Sequence, residues 1–243
     1  MQIKRTTLEN CGEETDTVVA IDVLRAFTTA AFAFSRGALE IILVSSIDEA
    51  FTLREQFPES LIMGELDCYP VEGFDFNNSP SALLEADLSG CRLIQRTTAG
   101  TQGIVRSSRA TNILATSLVC ANATAKRIQK LSPSSVSFIE TGDFPGGWGD
   151  EDAACGDLIE GLLNGQPPQY DQLIQRVRNS EHGKNFLDPS NSVFPSSDLE
   201  LAIDIDRFQF AMIVDKSDGL FILRPSPPTR PFKNGIYSRH RVL

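Results

Sequence analysis

Short apolar runs rich in β-branched residues alternate with helix-forming segments along most of this chain, and that alternation leaves few folds open. Its sharpest instance is Thr17-Val18-Val19-Ala20-Ile21, which passes through Asp22-Val23-Leu24-Arg25-Ala26-Phe27-Thr28-Thr29 into Ala30-Ala31-Phe32-Ala33-Phe34. The first run suits a strand buried on both faces of a parallel sheet. The Ala- and Phe-rich run reads as about three turns of helix stopping at Gly37. Repeated units of this kind imply a three-layer α/β/α sandwich with a mostly parallel sheet. An acid, a base and two hydroxyls then fall at the carboxyl edge of the sheet, where α/β proteins bind ligands. Helix-start amides favour an anion there. An N-capping Asp22 beside a solvated Arg25 fits the same stretch equally well.

Residues 39–44, 61–63, 92–95, 111–115 and 136–140 read as further strands. Helices are expected from Ser45-Ser46, after Ser79-Pro80, and over residues 117–131, 151–163, 170–177 and 198–206. The apolar runs 208–214 and 220–223 flank Asp215-Lys216-Ser217-Asp218-Gly219, a good hairpin turn, so the sheet should be mixed with a C-terminal β-hairpin. Residues 178–195 read as irregular, and the proline-rich tail from Pro225 onward as a surface extension. No composition break divides the chain, which reads as one domain over residues 1–243.

A formal net charge of −10 and a pI near 4.7 argue against nucleic acid and anionic membrane as partners. An anionic substrate must therefore be drawn in by a local cluster of Arg, Lys or metal. No apolar run approaches a membrane span, and the first residues lack the apolar core of a signal peptide, so the protein reads as cytoplasmic. The five cysteines are scattered without zinc-like spacing and read as idle thiols in a reducing compartment. His182 and His240 lie far from the dense motifs, so histidine chemistry is not expected. A homo-oligomer fits the sequence as well as a monomer does.

Four strand-end loops carry unusual polar density, at residues 22–29, 64–79, 96–101 and 142–152. In a parallel sheet they share one edge and can converge on one pocket. Arg96-Thr97-Thr98-Ala99-Gly100-Thr101 offers a guanidinium, hydroxyls and a Gly-loosened backbone, which suit an anion and also suit an ordinary capped turn. Asp22, Glu65, Glu151 and Asp152 sit at separate loop ends. A hard cation such as Mg²⁺ takes one or two such carboxylates, while each alone also serves as a helix-dipole partner. Asn122 is either a specific contact or an exposed amide. Gly146-Gly147-Trp148-Gly149 suits a lid or a rigid turn. There is no Walker loop, no Gly-x-Gly-x-x-Gly after a strand and no Gly-x-Ser-x-Gly elbow. Asp22-Val23-Leu24 also lacks the second acid of the aspartyl-phosphate phosphatases. For a phosphatase, metal-activated water is the route left.

In this order the loops resemble the 2-phosphosulfolactate phosphatase family. The matching pieces are Asp22-Val23-Leu24-Arg25-Ala26-Phe27-Thr28-Thr29, Gly64-Glu65, Gly73-Phe74 with Asn78-Ser79-Pro80, Arg96-Thr97-Thr98-Ala99-Gly100-Thr101, Asn122-Ala123 and Glu151-Asp152. The resemblance covers residues 15–165 and fades beyond them. Asn77 stands where the family usually has Gly, and Ala99 where it has Asn. Membership implies a three-layer α/β/α fold and Mg²⁺-dependent hydrolysis of (R)-2-phospho-3-sulfolactate, a step of coenzyme M synthesis. By that resemblance Asp22, Glu65 and Asp152 are expected near the metal. Arg25, Thr97, Thr98 and Thr101 are expected around the phosphoryl group and Arg96 at the phosphate or the acid tail, with Thr28, Asn78, Ser79, Gly100 and Asn122 also binding substrate. Glu151 would orient the attacking water. A phosphatase of another 2-phospho-hydroxy acid and a non-catalytic binding protein for such an acid remain the alternatives.

Overall fold

A computed structural model describes residues 1–142, 149–188 and 190–226. Ten strands form one open, mixed sheet in the order β1-β8-β2-β7-β9-β10-β3-β6-β4-β5. These are β1 (Gln2–Thr6), β2 (Thr17–Ile21), β3 (Glu40–Val44), β4 (Leu61–Gly64), β5 (Phe76–Asn77), β6 (Arg92–Arg96), β7 (Asn112–Thr116), β8 (Ser135–Glu140), β9 (Ala211–Ser217) and β10 (Leu220–Ser226). The helices are α1 (Ala26–Ser35), α2 (Ile47–Gln56), α3 (Gly100–Arg106), α4 (Ala121–Leu131), α5 (Asp150–Leu163), α6 (Tyr170–Asn179), α7 (Glu181–Lys184) and α8 (Ser196–Ala202). No helix among the described residues is long and apolar enough to cross a membrane.

The sheet is two parallel blocks joined by the antiparallel hairpin β9–β10, which pairs with β7 on one side and β3 on the other. The expected hairpin is thus the seam of the sheet. Its turn is only Asp218-Gly219, and β9 runs on through Ser217. Strand alternation sorts the core into layers. Val18 and Ala20 of β2 and Ile41 and Leu43 of β3 face α1 and α3. Val19 and Ile21 face α4 and α5, and Ile42 and Val44 face α2.

Helix α1 explains how distant loops meet. Residues 26–34 are all buried, as an Ala/Phe sequence without a polar stripe requires. Five strand steps separate β2 from β6, about 24 Å in a flat sheet. The sheet instead curls around α1: Gln95 of β6 donates from Nε2 to the Ala26 carbonyl at 3.0 Å. Phe208 and Phe210, just before β9, close the wrap with edge-on contacts to Phe32 and Phe34.

Two local expectations are corrected, and one strand is added: Gln2-Ile3-Lys4-Arg5-Thr6, to which no element was assigned, is an edge strand parallel to β8. After Ser79-Pro80 there is only a 3₁₀ turn, Ser81–Leu83. Within the segment read as irregular lie α7, capped by the Ser180 hydroxyl, and a 3₁₀ turn at Asn185–Leu187. The segment around Trp148 and the tail beyond Ser226 lie outside the described residues.

Candidate active site

The carboxyl ends of β2, β4, β6 and β8 open onto one cavity of about 90 Å³, beside the N-terminus of α1. At roughly 10–15 Å³ per water on this measure, it holds several waters or one small anionic group. Its lining includes Asp22, Arg25, Glu65, Cys68, Asn78, Thr98, Thr141, Glu151, Asp152 and His182.

Two glycines permit close approaches between the elements that bear the cavity. Gly64 has a φ of +140°, and a Cβ there would lie 1.8 Å from the Arg96 carbonyl, so the ends of β4 and β6 can touch only through glycine. At Gly100 a Cβ would lie 2.6 Å from both Asp22 Oδ2 and the Ala26 methyl. Gly100 therefore lets α3 press directly on the acid at the start of α1.

The four expected carboxylates all line the cavity, but they are spent differently. Glu65 accepts from the Thr98 amide on Oε1 and from Cys68 N and Thr98 Oγ1 on Oε2, at 2.6 and 3.0 Å. It ties the loop after β4 to the loop after β6. Asp152 accepts from Val23 N at 2.8 Å and Gly142 N at 2.9 Å, tying the loops after β2 and β8. Asp22 accepts from Ala26 N through Oδ1 at 2.9 Å, so it caps α1 and faces the cavity at once. Glu151 lies 3.4 Å from His182 Nδ1, and its buried Oε2 has no hydrogen-bond partner among the described residues.

Their protonation follows from this crowding. Burial, opposed by the Ala26 amide and His182 and reinforced by Glu65 and Glu151, pushes Asp22 up to about 6. Burial and the charges of Glu151 and Asp22 push Asp152 well above the ordinary carboxylate range. Burial pulls His182 down, but hydrogen bonds with Cys68 and Glu151 and the Glu151 charge outweigh it, leaving the imidazole at about 9. His182 is thus a cation at neutral pH, and it lines the cavity although it lies far from the dense motifs along the chain. Nothing local in the sequence connects it to Glu151. Cys68, expected to be an idle thiol, also lines the cavity, from the long loop after β4.

The remaining expected residues divide. Asn78 lines the cavity with a buried amide oxygen that has no hydrogen-bond partner among the described residues. Arg25 lines the cavity and packs against the edge-to-face pair Phe186 and Phe194, with its guanidinium carbon 5.4 and 5.2 Å from their centres. Thr28 donates to the Val23 carbonyl at 2.7 Å, and Ser79 donates to Asp198 at 2.8 Å. Thr97 and Thr101 bond each other's amides, both at 3.0 Å, and are fully interior. Arg96 donates to the Glu65 carbonyl at 2.8 Å, supporting that loop from behind. The Asn122 amide donates to Asp206 at 2.7 Å, and the residue is not part of the cavity lining.

A carboxylate-rich pocket at the sheet edge, with a guanidinium and an imidazolium in its wall, defines an α/β protein equipped for acid–base work on a small anion. The sequence profile of the 2-phosphosulpholactate phosphatase family matches residues 3–217. A probable 2-phosphosulfolactate phosphatase of Bacillus subtilis (strain 168) is 33% identical over 205 residues, covering 84% of this chain and 89% of that protein. One of Thermosynechococcus vestitus is 30% identical over 214 residues, covering 79% and 86%. This chain belongs to the 2-phosphosulfolactate phosphatase family and is a phosphatase. The profile match runs past residue 165, where the motif resemblance faded, and takes in His182 of the cavity lining.

Proposed function

We propose that this protein is a cytoplasmic, Mg²⁺-dependent enzyme that hydrolyses (R)-2-phospho-3-sulfolactate to 3-sulfolactate and phosphate. The observation that carries this reading is the meeting of Asp22, Glu65, Glu151 and Asp152, from separate loops, with Arg25 and His182 in one cavity. Acids outnumber cations there, so an ester bearing phosphate, carboxylate and sulfonate enters favourably only with a cation of its own.

The residues present fit Mg²⁺. That ion keeps several waters and takes few protein carboxylates. Among the described residues, no three His, Cys, Asp or Glu side chains are grouped to hold a metal by themselves, so substrate and water must complete the shell. Asp22 is best placed to hold it, since Oδ1 alone is given to Ala26; Asp152 and Glu65 would bond its waters. When bound, Mg²⁺ supplies positive charge to the phosphoryl oxygens and acidifies a water. Arg25 holds phosphoryl oxygens. Glu151 Oε2, without another partner among the described residues, orients the attacking water and takes its proton. His182 gives a proton to the ester oxygen as the P–O bond breaks, so the leaving group departs as an alcohol.

Phosphate release with Mg²⁺ across a panel of 2-phospho-hydroxy acids tests the reading. The sulfonated ester should be turned over with the highest kcat/KM. A higher value for an unsulfonated member would reassign the substrate, and tight binding without release from any member would make this a binding protein.

A further inference from the structure

Asp198, in the first turn of α8, is fully buried and joins three parts of the chain. Its Oδ2 accepts from Arg25 Nη1 at 2.8 Å. Its Oδ1 accepts from Ser79 Oγ at 2.8 Å and the Ser81 amide at 3.0 Å. Arg25 Nη1 also donates to the Val193 carbonyl at 3.0 Å, and the guanidinium packs against one side of the edge-to-face pair Phe186 and Phe194. One edge of Arg25 is thus tied down by Val193 and Asp198, while the side chain lines the cavity.

A buried ion pair is a poor way to gain stability, because desolvating both charges costs about as much as their attraction returns. An apolar pair of similar volume would hold α8 against the loop as well. What such a pair does provide is a guanidinium whose plane and position are set before any ligand arrives. The aromatic rings restrict tilt, and the carboxylate fixes rotation about the long side chain. Without this clamp, ordering a free arginine would consume part of the binding free energy.

We infer that Asp198 is the positioning residue of the site: through Arg25, which packs against the edge-to-face pair Phe186 and Phe194, it fixes the cation that receives the ligand's phosphoryl oxygens. The inference rests on the reading of the cavity as a phosphate site. It gives the C-terminal segment a part in the site: Val193 and Asp198 do not line the cavity but hold the Arg25 side chain that does.

The test is inorganic phosphate binding in the presence of Mg²⁺, measured by calorimetry per mole of folded protein. The proteins compared are wild type, Asp198→Asn, Arg25→Lys and the double variant. Each single change should weaken binding tenfold or more, and the double variant should bind no more weakly than Arg25→Lys. Wild-type affinity in Asp198→Asn, losses that multiply in the double variant, or no binding by wild type would each overturn the inference. If Asp198→Asn does not fold, Ser79→Ala reads the same coupling, since it removes one donor that holds Asp198. It should weaken binding about threefold in the wild-type background and not at all beside Arg25→Lys; equal weakening in both overturns the inference. In turnover, Asp198→Asn should raise KM more than it lowers kcat, a split that loss of stability alone does not produce. Phosphate binding that depends on Asp198 in a protein releasing no phosphate from any ester would refute the hydrolytic function and leave this inference standing.

Discussion

Gly100 presses on Asp22 so closely that a Cβ at position 100 would lie 2.6 Å from the Asp22 carboxylate. The contact joins β6 to β2 across the curl of the sheet, and it fixes the acid that faces the cavity. Gly100→Ala must move either Asp22 or Ala26. It should cost about 1–3 kcal/mol in chemical denaturation, as overpacking does. Phosphate release should fall by more, on the order of 100-fold, because the displaced group belongs to the site. Equal stability and activity to wild type would show that the contact relaxes freely.

Asp22 makes the fold's stability fall with rising pH. Its folded pKa, raised by burial to about 6, lies above the unfolded value of 3.8. Between those values the unfolded chain has released a proton that the folded one keeps, so stability declines across that window and stays low above it. Asp22→Asn should therefore raise Tm at pH 8 and leave it unchanged near pH 3. Mg²⁺ should raise the wild-type Tm more at pH 8 than at pH 4.5, since it binds the ionised acids. Thermal melts at those pH values, with and without Mg²⁺, check both statements.

His182 has the opposite sign. Its folded pKa of about 9 exceeds the unfolded value of 6.5, so its contribution is complete below pH 6.5 and is lost as pH rises through 9. The Tm difference between wild type and His182→Gln should be largest at pH 6 and shrink by pH 10. A pH-independent difference would show that the imidazole contributes packing alone.

The hairpin at the seam gives a simpler test. Gly219 has a φ of +80° with open space around its α-carbon, so Gly219→Ala meets backbone strain and no steric clash. The expected cost is about 1–2 kcal/mol. Because β9 and β10 join both halves of the sheet, the loss should appear as a single shift of the denaturation midpoint with an unchanged slope.

Sequence periodicity revealed the elements with strong local signals. Thr17-Val18-Val19-Ala20-Ile21 and the Ala/Phe helix after it are where the pattern puts them. Gln2-Ile3-Lys4-Arg5-Thr6 escaped because an edge strand has no need of an apolar run. The hairpin was legible from Asp218-Gly219, but its place between β7 and β3 depends on pairing between segments far apart in the chain. The carboxylates of the cavity were legible because each ends a strand or opens a helix. His182 and Asp198 were not: their roles arise only when the C-terminal helices fold back over the sheet edge. Thr97 and Thr101, placed among the phosphate-binding candidates, bond one another inside the turn they stabilise.

The measurement closest to the central claim is phosphate release from (R)-2-phospho-3-sulfolactate by wild type and Asp22→Asn, each with Mg²⁺ and with excess chelator. Wild type should turn over only with Mg²⁺. Asp22→Asn should lose on the order of 1,000-fold in kcat while its circular dichroism spectrum is retained. Turnover by wild type in chelator, or near-normal turnover by Asp22→Asn, would contradict the assignment of this pocket.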